Sequence, residues 1–245
     1  MAKISKNGNL SGTIGKLVFV NSGDYHYVRS KPAKVKQSQK SKAAAALFGW
    51  MSGQDKIYRE AIKYAFSITT DRYYSARHRA RIMKSVLNSK ESPTNTPSLT
   101  LGTPETLIGF DFNAALPWQT IFRSYPQFTI NKEGVVECKL PTLHWGEHIK
   151  PPKGAVSASL KLQAFTTDPD QKIVEINLVA SHTLSLNPSD TIPEALWVFN
   201  APNQNAWLIV LGTLSFGYTA NIQVPPLNES AAYLWAKGLK AKTEM

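Results

Sequence analysis

Two long stretches in which apolar and polar residues alternate constrain this chain more than any other feature. Val156, Ala158, Leu160, Leu162 and Ala164 alternate with Ser157, Ser159, Lys161 and Gln163. After the turn signal Asp168-Pro169-Asp170-Gln171, Val174, Ile176, Leu178, Ala180, His182, Leu184 and Leu186 alternate with Glu175, Asn177, Ser181, Thr183 and Ser185. A period of two sends successive side chains to opposite faces, so each stretch reads as a half-buried strand and the pair as an antiparallel hairpin. Leu208, Val210, Leu214, Phe216 and Tyr218 mark a third long strand, with shorter candidates at 107–112, 128–130, 135–140 and 196–199. Seven strands separated by turn signals predict an antiparallel β-sandwich of immunoglobulin-like size over 105–245, although the Cys-Trp-Cys spacing of true immunoglobulin domains is absent. A short helix is expected at the C-terminal end, over 229–239.

The N-terminal third follows different periods. Gly8, Gly12 and Gly15 punctuate an arm that leads into Lys16-Leu17-Val18-Phe19-Val20, and the turn Asn21-Ser22-Gly23-Asp24 joins it to Tyr25-His26-Tyr27-Val28-Arg29-Ser30. This predicts a hairpin ended by Pro32. From Gln39 to Phe66 the pattern is helical, with Ala43, Leu47, Trp50, Gln54, Ile57, Ala61 and Ala65 on one stripe. Gly49 and Gly53 each weaken it by roughly 1 kcal/mol relative to Ala, so a break is expected near Ser52-Gly53. Thr69, Thr70 or Asp71 caps a second helix running to Leu87, with Tyr73, Ala76, Ala80, Met83 and Leu87 as its apolar stripe. Residues 91–104 hold three prolines and four threonines and read as a linker between a basic segment, 1–90, and the sandwich.

Charge divides at the same place. Residues 1–90 carry 18 basic and 4 acidic side chains (+14), residues 91–245 carry 10 and 13 (−3), and the 245-residue chain is +11. Such asymmetry points to a polyanion or an acidic protein surface as partner. Lys31, Lys34, Lys36, Lys40 and Lys42 crowd one stretch, and the second helix adds Arg72, Arg77, Arg79, Arg81 and Lys84. Arg77, Arg81 and Lys84, spaced four and three, form a continuous stripe able to meet phosphates, with Tyr73, Tyr74 and His78 nearby as stacking groups.

Catalytic chemistry finds little support. His144-Trp145-Gly146-Glu147-His148 matches the zinc spacing H-x-x-E-H, but Pro141, Gly146 and Pro151-Pro152 oppose the helix that spacing needs, and a loop with exposed histidines is expected. Gly12 to Lys16 lacks the first glycine and the Ser/Thr of a phosphate loop, Leu10 and Leu17 standing there instead. His182 reads as a core histidine with its ring nitrogens hydrogen-bonded. The carboxylate pairs Asp168/Asp170 and Glu133/Glu137 fall in a turn and a charged hairpin rather than across a cleft. Cys138, the only cysteine, permits no internal disulfide and reads as a small buried residue. No cofactor, metal or enzymatic activity is expected. No apolar run reaches the length of a signal-peptide core or a membrane span, so cytoplasmic synthesis is expected, with a virion or other released assembly as the alternative.

The arrangement Asn7-Gly8 to Ser11-Gly12, Gly15-Lys16 and Val28-Arg29-Ser30-Lys31-Pro32, followed by a Gln/Lys-rich entry into an alanine and aromatic helix, resembles an uncharacterised family of Bacteroidota and phage-associated proteins. Those proteins pair a basic N-terminal region with a β-rich remainder. The resemblance covers residues 7 to about 60, implies a bacterial or phage context and transfers no site.

The sequence therefore predicts an α+β chain: a basic hairpin and helical hairpin, a linker and a sandwich. Its expected role is a non-enzymatic structural subunit that self-assembles as a homo-oligomer into a particle or filament. Ile4, Leu10, Ile14, Tyr25 and Tyr27 are the expected assembly contacts, through an extended arm added to a neighbour's sheet edge. A nucleic-acid-binding module using 31–84 is the alternative, and a carbohydrate-binding sandwich using Trp118, Trp145 and Trp197 is the third reading.

Overall fold

The computed structural model describes residues 2–6, 8–22, 25–33, 36–87, 98–204, 206–219 and 228–240. Helices and antiparallel sheets occur together, as an α+β chain requires. The chain divides into two compact units, Met1–Ala45 and Ala46–Met245.

In the first unit the expected arm is itself sheet. Strands β1 (Lys3–Ile4), β2 (Leu10–Ile14), β3 (Leu17–Ser22) and β4 (Tyr25–Ser30) form one antiparallel sheet in chain order. Gly15, with φ +56°, opens the two-residue turn that sets Ile14 opposite Leu17, a conformation glycine adopts without strain. Because β1 and β2 are already paired to their own hairpin, they are not a free strand to lend to a neighbour. Of the expected turn between β3 and β4, Gly23 and Asp24 lie outside the described residues.

Helix α1 (Gln39–Phe66) begins in the first unit and ends in the second. It runs unbroken through Ser52-Gly53, held there by the buried side chains Met51, Asp55, Tyr58, Arg59 and Ile62. Helix α2 (Tyr74–Leu87) buries Tyr74, His78, Ile82 and Ser85. Asp71, one of three expected caps, accepts the Tyr73 N–H at 2.6 Å. Both buried stripes are shifted from the expected ones. Tyr73, Ala76, Ala80 and Leu87 face solvent, because alanines and a tyrosine with a wet hydroxyl satisfy either face while Ile82 and Tyr74 fit only the core.

The second unit is layered. Two antiparallel sheets face each other: one is β5 (Gln127–Ile130), β6 (Val135–Leu140) and β11 (Ala195–Asn200), ordered β11-β6-β5. The other is β8 (Ala155–Thr167), β9 (Asn177–Leu186), β12 (Ala206–Tyr218) and β13 (Glu229–Leu239), ordered β13-β12-β8-β9. Short β7 (Leu143–His144) pairs with β10 (Thr191–Ile192). Val136, Cys138, Leu140, Trp197 and Phe199 share one core with Ala158, Leu160, Leu162, Leu208, Val210 and Leu214. On the other face of the four-stranded sheet, Phe165, Trp207, Ile209, Leu211 and Tyr233 share a second core with Tyr58, Ile62, Tyr74 and Ile82 of the helices. The helices cover only that end of the sheet; Ser159, Lys161, Thr213 and Ser215 further along the same face are not buried.

Two expected elements differ. The segment 229–239 is strand β13, not helix. Its alanine-rich composition favours helix locally, but pairing with β12 buries Ala231, Ala232, Tyr233 and Ala236 between two covered faces, where a strand shows no clean alternation. The strand expected at 107–112 is instead a 3-10 turn, Pro104–Leu107, leading to a segment that bridges β13 at Asp111 and Ala232. Of the expected linker, residues 91–97 lie outside the described residues. Residues 98–104 belong to the second unit: Leu99 is fully buried and its N–H donates to Asp170 Oδ1 at 2.6 Å. Asp168 and Asp170 are thus a clasp, the Thr100 N–H and hydroxyl donating to them at 3.0 and 2.8 Å.

Candidate assembly surface

In the first unit, no described residue is buried. A four-stranded sheet is stable in water only when one face is covered by apolar packing. The register decides which face asks for cover. Opposed residues share a face, so Ile14 with Leu17, and Phe19 with Val28, stand together beside Asn21, His26 and Ser30. None of these carries a fixed charge. Leu17 is 46% exposed, Val28 50% and Ile14 52%, with Phe19 half-buried in the middle. At the β1–β2 edge Ile4 and Leu10 oppose each other, and both are exposed. The opposite face holds Thr13, Val18, Val20, Ser22, Tyr25, Tyr27 and Arg29.

Of the expected assembly residues, Ile4, Leu10 and Ile14 are thus exposed apolar side chains of the sheet, while Tyr25 and Tyr27 lie on its other face. Leu17, Phe19 and Val28 were missed. Their alternation in β3 and β4 was legible, but which alternate set is wet cannot be read without the partner strand.

The basic residues separate into two groups. Lys31, Lys36, Lys40 and Lys42 are exposed and form no ion pair among the described residues; Lys34 lies outside them. The arginines of α2 are largely engaged. Arg77 pairs with Asp71, donates to the Asp111 carbonyl at 2.8 Å and lies 5.1 Å over the Phe110 ring. Burial works against the Asp71 charge, but the Ala114 and Tyr73 N–H groups and Arg77 outweigh it and hold the carboxyl below its ordinary range. Arg81 donates to the Thr106 carbonyl at 3.1 Å, and Arg79 to Ser52 at 3.4 Å while lying 5.6 Å over Phe48. Arg72 and Lys84 are exposed, Arg72 over the exposed Tyr73 ring. The expected phosphate stripe is therefore mostly mortar between α2 and the segment 106–111.

His78 is not a stacking group but part of a buried cluster. Its Nδ1 lies 2.6 Å from Asp55 Oδ1, and Asp55 Oδ2 accepts from Arg59 Nε at 2.8 Å. Tyr233 Oη lies 3.4 Å from His78 Nε2. Burial lowers the His78 pKa more than the Asp55 contact raises it, since the carboxylate is shared with Arg59. The imidazole is neutral, donating from Nδ1 and accepting at Nε2. Asp55 to His78 spans 23 residues across a helix turn, which no local motif signals.

His144, Glu147 and His148 meet within 4.8 Å in a tight turn. The His144 N–H donates to His148 Nδ1 at 3.1 Å, so that ring nitrogen is engaged within the turn itself. His182 stacks on Trp197 with centroids 6.0 Å apart. Contrary to expectation its Nε2 is buried without a hydrogen bond among the described residues. Burial pushes the Cys138 thiol up to about 12, an inert setting. Trp118 and Trp197 are buried and Trp145 packs against the core that the two sheets share, so none forms an open stacking platform. Trp118 also walls a cleft of about 440 Å³ with Asp111, Gln119, Ser124 and Tyr125. Among the described residues no helix is long and apolar enough to cross a membrane. No protein-family model matches the chain, and no curated protein matches it.

Proposed function

We propose that this chain is a non-enzymatic structural subunit that assembles with further copies of itself, in a bacterial or phage particle or filament, through the uncharged face of its N-terminal sheet. One observation carries the reading: the unit Met1–Ala45 forms four paired strands yet buries none of its described residues. The occupant proposed for the face is the same face of a second copy. That unit holds nine basic side chains and one acidic one, a net +8, so two copies repel except where charge is absent. The face bearing Ile14, Leu17, Phe19 and Val28 is such a place, and two sheets packed through it bury both apolar sets. The immunoglobulin-like description of the second unit belongs to the same proposal, supported by three- and four-stranded sheets that share one core.

Sedimentation velocity over a concentration series tests it. The wild-type chain is expected to associate, and Leu17→Asp/Val28→Asp to lower the assembly order with the thermal transition of the second unit unchanged. Association at wild-type strength in that variant overturns the reading.

The exposed lysines favour a second reading, nucleic-acid binding by 31–42. Replacing Lys36, Lys40 and Lys42 with glutamine then weakens a gel shift and flattens its salt dependence, whereas unchanged binding discards that reading.

A further inference from the structure

The four-stranded sheet of the second unit has two edges, and the chain treats them differently. The β13 edge is closed by its own segment: Gly109 N–H donates to the Tyr233 carbonyl at 2.8 Å, Tyr233 N–H to Phe110 at 3.2 Å, and Phe112 N–H to Ala231 at 3.0 Å. Lys237 pairs with Glu105 beside them. At the other edge, β9 is laddered to β8 from Asn177 opposite Thr166 to Leu186 opposite Ala158. Among the described residues, no backbone hydrogen bond joins the outer side of β9 to any other segment.

Free edges are ordinarily guarded by lysine, proline, bulges or brevity. β9 runs ten residues, Asn-Leu-Val-Ala-Ser-His-Thr-Leu-Ser-Leu, with no charged residue and no proline. Its one bulge lies near its N-terminal end, where Val179 is left unpaired between Leu178, opposite Phe165, and Ala180, opposite Ala164. The rest is regular, with Ser181, Thr183 and Ser185 exposed on one face and Leu184 and Leu186 turned to the core that the two sheets share.

We infer that β9 pairs antiparallel with β9 of a second copy about a two-fold axis, joining two four-stranded sheets into one continuous sheet. The inference rests on the reading of the chain as an assembling subunit. A chain of net charge +11 resists its own copy, so a contact is favoured where both partners are neutral, as β9 is. Serine and threonine hydroxyls meet across the axis, a favourable cross-strand combination. The pairing supplies the backbone hydrogen bonds that the edge lacks. Together with the sheet face of the first unit it gives each copy two self-complementary surfaces, which is what assembly beyond a dimer requires.

The test uses the full chain. Ser181→Glu/Thr183→Glu places like charges across the axis. Thr183 lies opposite Lys161 of β8, so the second glutamate keeps the subunit's own sheet supported. Unchanged circular dichroism confirms the fold, and Thr183→Glu alone replaces the pair if the double variant fails to fold. In sedimentation velocity the wild type is expected beyond dimer, Leu17→Asp/Val28→Asp as a dimer, and the two sets combined as a monomer. In the aspartate variant, β9 amides should exchange more slowly as concentration rises. The inference is overturned if that variant is monomeric, if the glutamates leave its dimer intact, or if β9 protection is independent of concentration, as it would be with an intrachain occupant. If the glutamate variant is monomeric while the aspartates change nothing, the sheet-face reading fails and the β9 contact stands.

Discussion

A histidine sealed from water exchanges its proton with solvent only when what encloses it opens. His78 is enclosed by Asp55, Tyr58 and Arg59 of α1, Tyr74 and Arg77 of its own helix, Phe110, and Tyr233 of β13. Unfolded, the imidazole takes up a proton near pH 6.5; folded, it does so only at lower pH. Between those values the unfolded chain binds more protons. The contribution of His78 is therefore complete above about pH 6.5 and is lost as pH falls through the depressed folded value. Denaturant unfolding at pH 8, 6.5 and 5 is expected to show this loss, and His78→Gln to flatten it. An equal slope in the variant would place the titration elsewhere. At this scale the sequence was least legible. Charge counting marked Arg77 and Arg81 as basic, but nothing in their spacing shows that one guanidinium meets Asp71 and the Asp111 carbonyl and the other the Thr106 carbonyl.

Periodicity located elements well and their faces less well. The two alternating runs became β8 and β9, and α1 spans Gln39–Phe66 as read from its spacing. The buried stripes of α1 and α2 were displaced by about one residue, because Ala43, Ala76 and Ala80 count as apolar without demanding burial. The C-terminal strand was missed for the opposite reason, being covered on both faces. Two glycines separate local propensity from packing. A Cβ on Gly53, in the exposed face of α1, meets nothing within 4 Å, so Gly53→Ala is expected to stabilise by up to about 1 kcal/mol. At Gly102 the same atom falls 2.5 Å from Ser85 Oγ and 2.8 Å from the Leu99 carbonyl oxygen. Gly102→Ala is expected to destabilise, by about 1–3 kcal/mol. Urea midpoints of the two variants check both signs, and equal midpoints would mean that residues 98–102 yield freely.

For the molecule as a whole, composition suggested a break where chemistry changes, at the Pro/Thr segment, whereas the compact units divide at Ala45 and Ala46. A composition shift records what a segment is made of; the division of contacts depends on what its neighbours bury. Tyr58, Ile62 and Ile82 of the helices share a core with Phe165, Trp207 and Ile209 of the sheet. A single cut engineered between 88 and 97 is therefore expected to leave two pieces that co-elute in gel filtration without denaturant. Their separation would mean that the helices and sheet are held mainly by the chain joining them.

The partial reach of the helices over the four-stranded sheet gives β12 a graded resistance to opening. From Trp207 to Leu211 both faces of the strand are sealed, whereas at Thr213 and Ser215 one face is wet. The free energy needed to expose an amide declines along a single unbroken strand, from the global value toward local fraying. Loosening therefore starts at the Tyr218 end and travels inward, so the first part of this sheet to melt is the half without a helical roof.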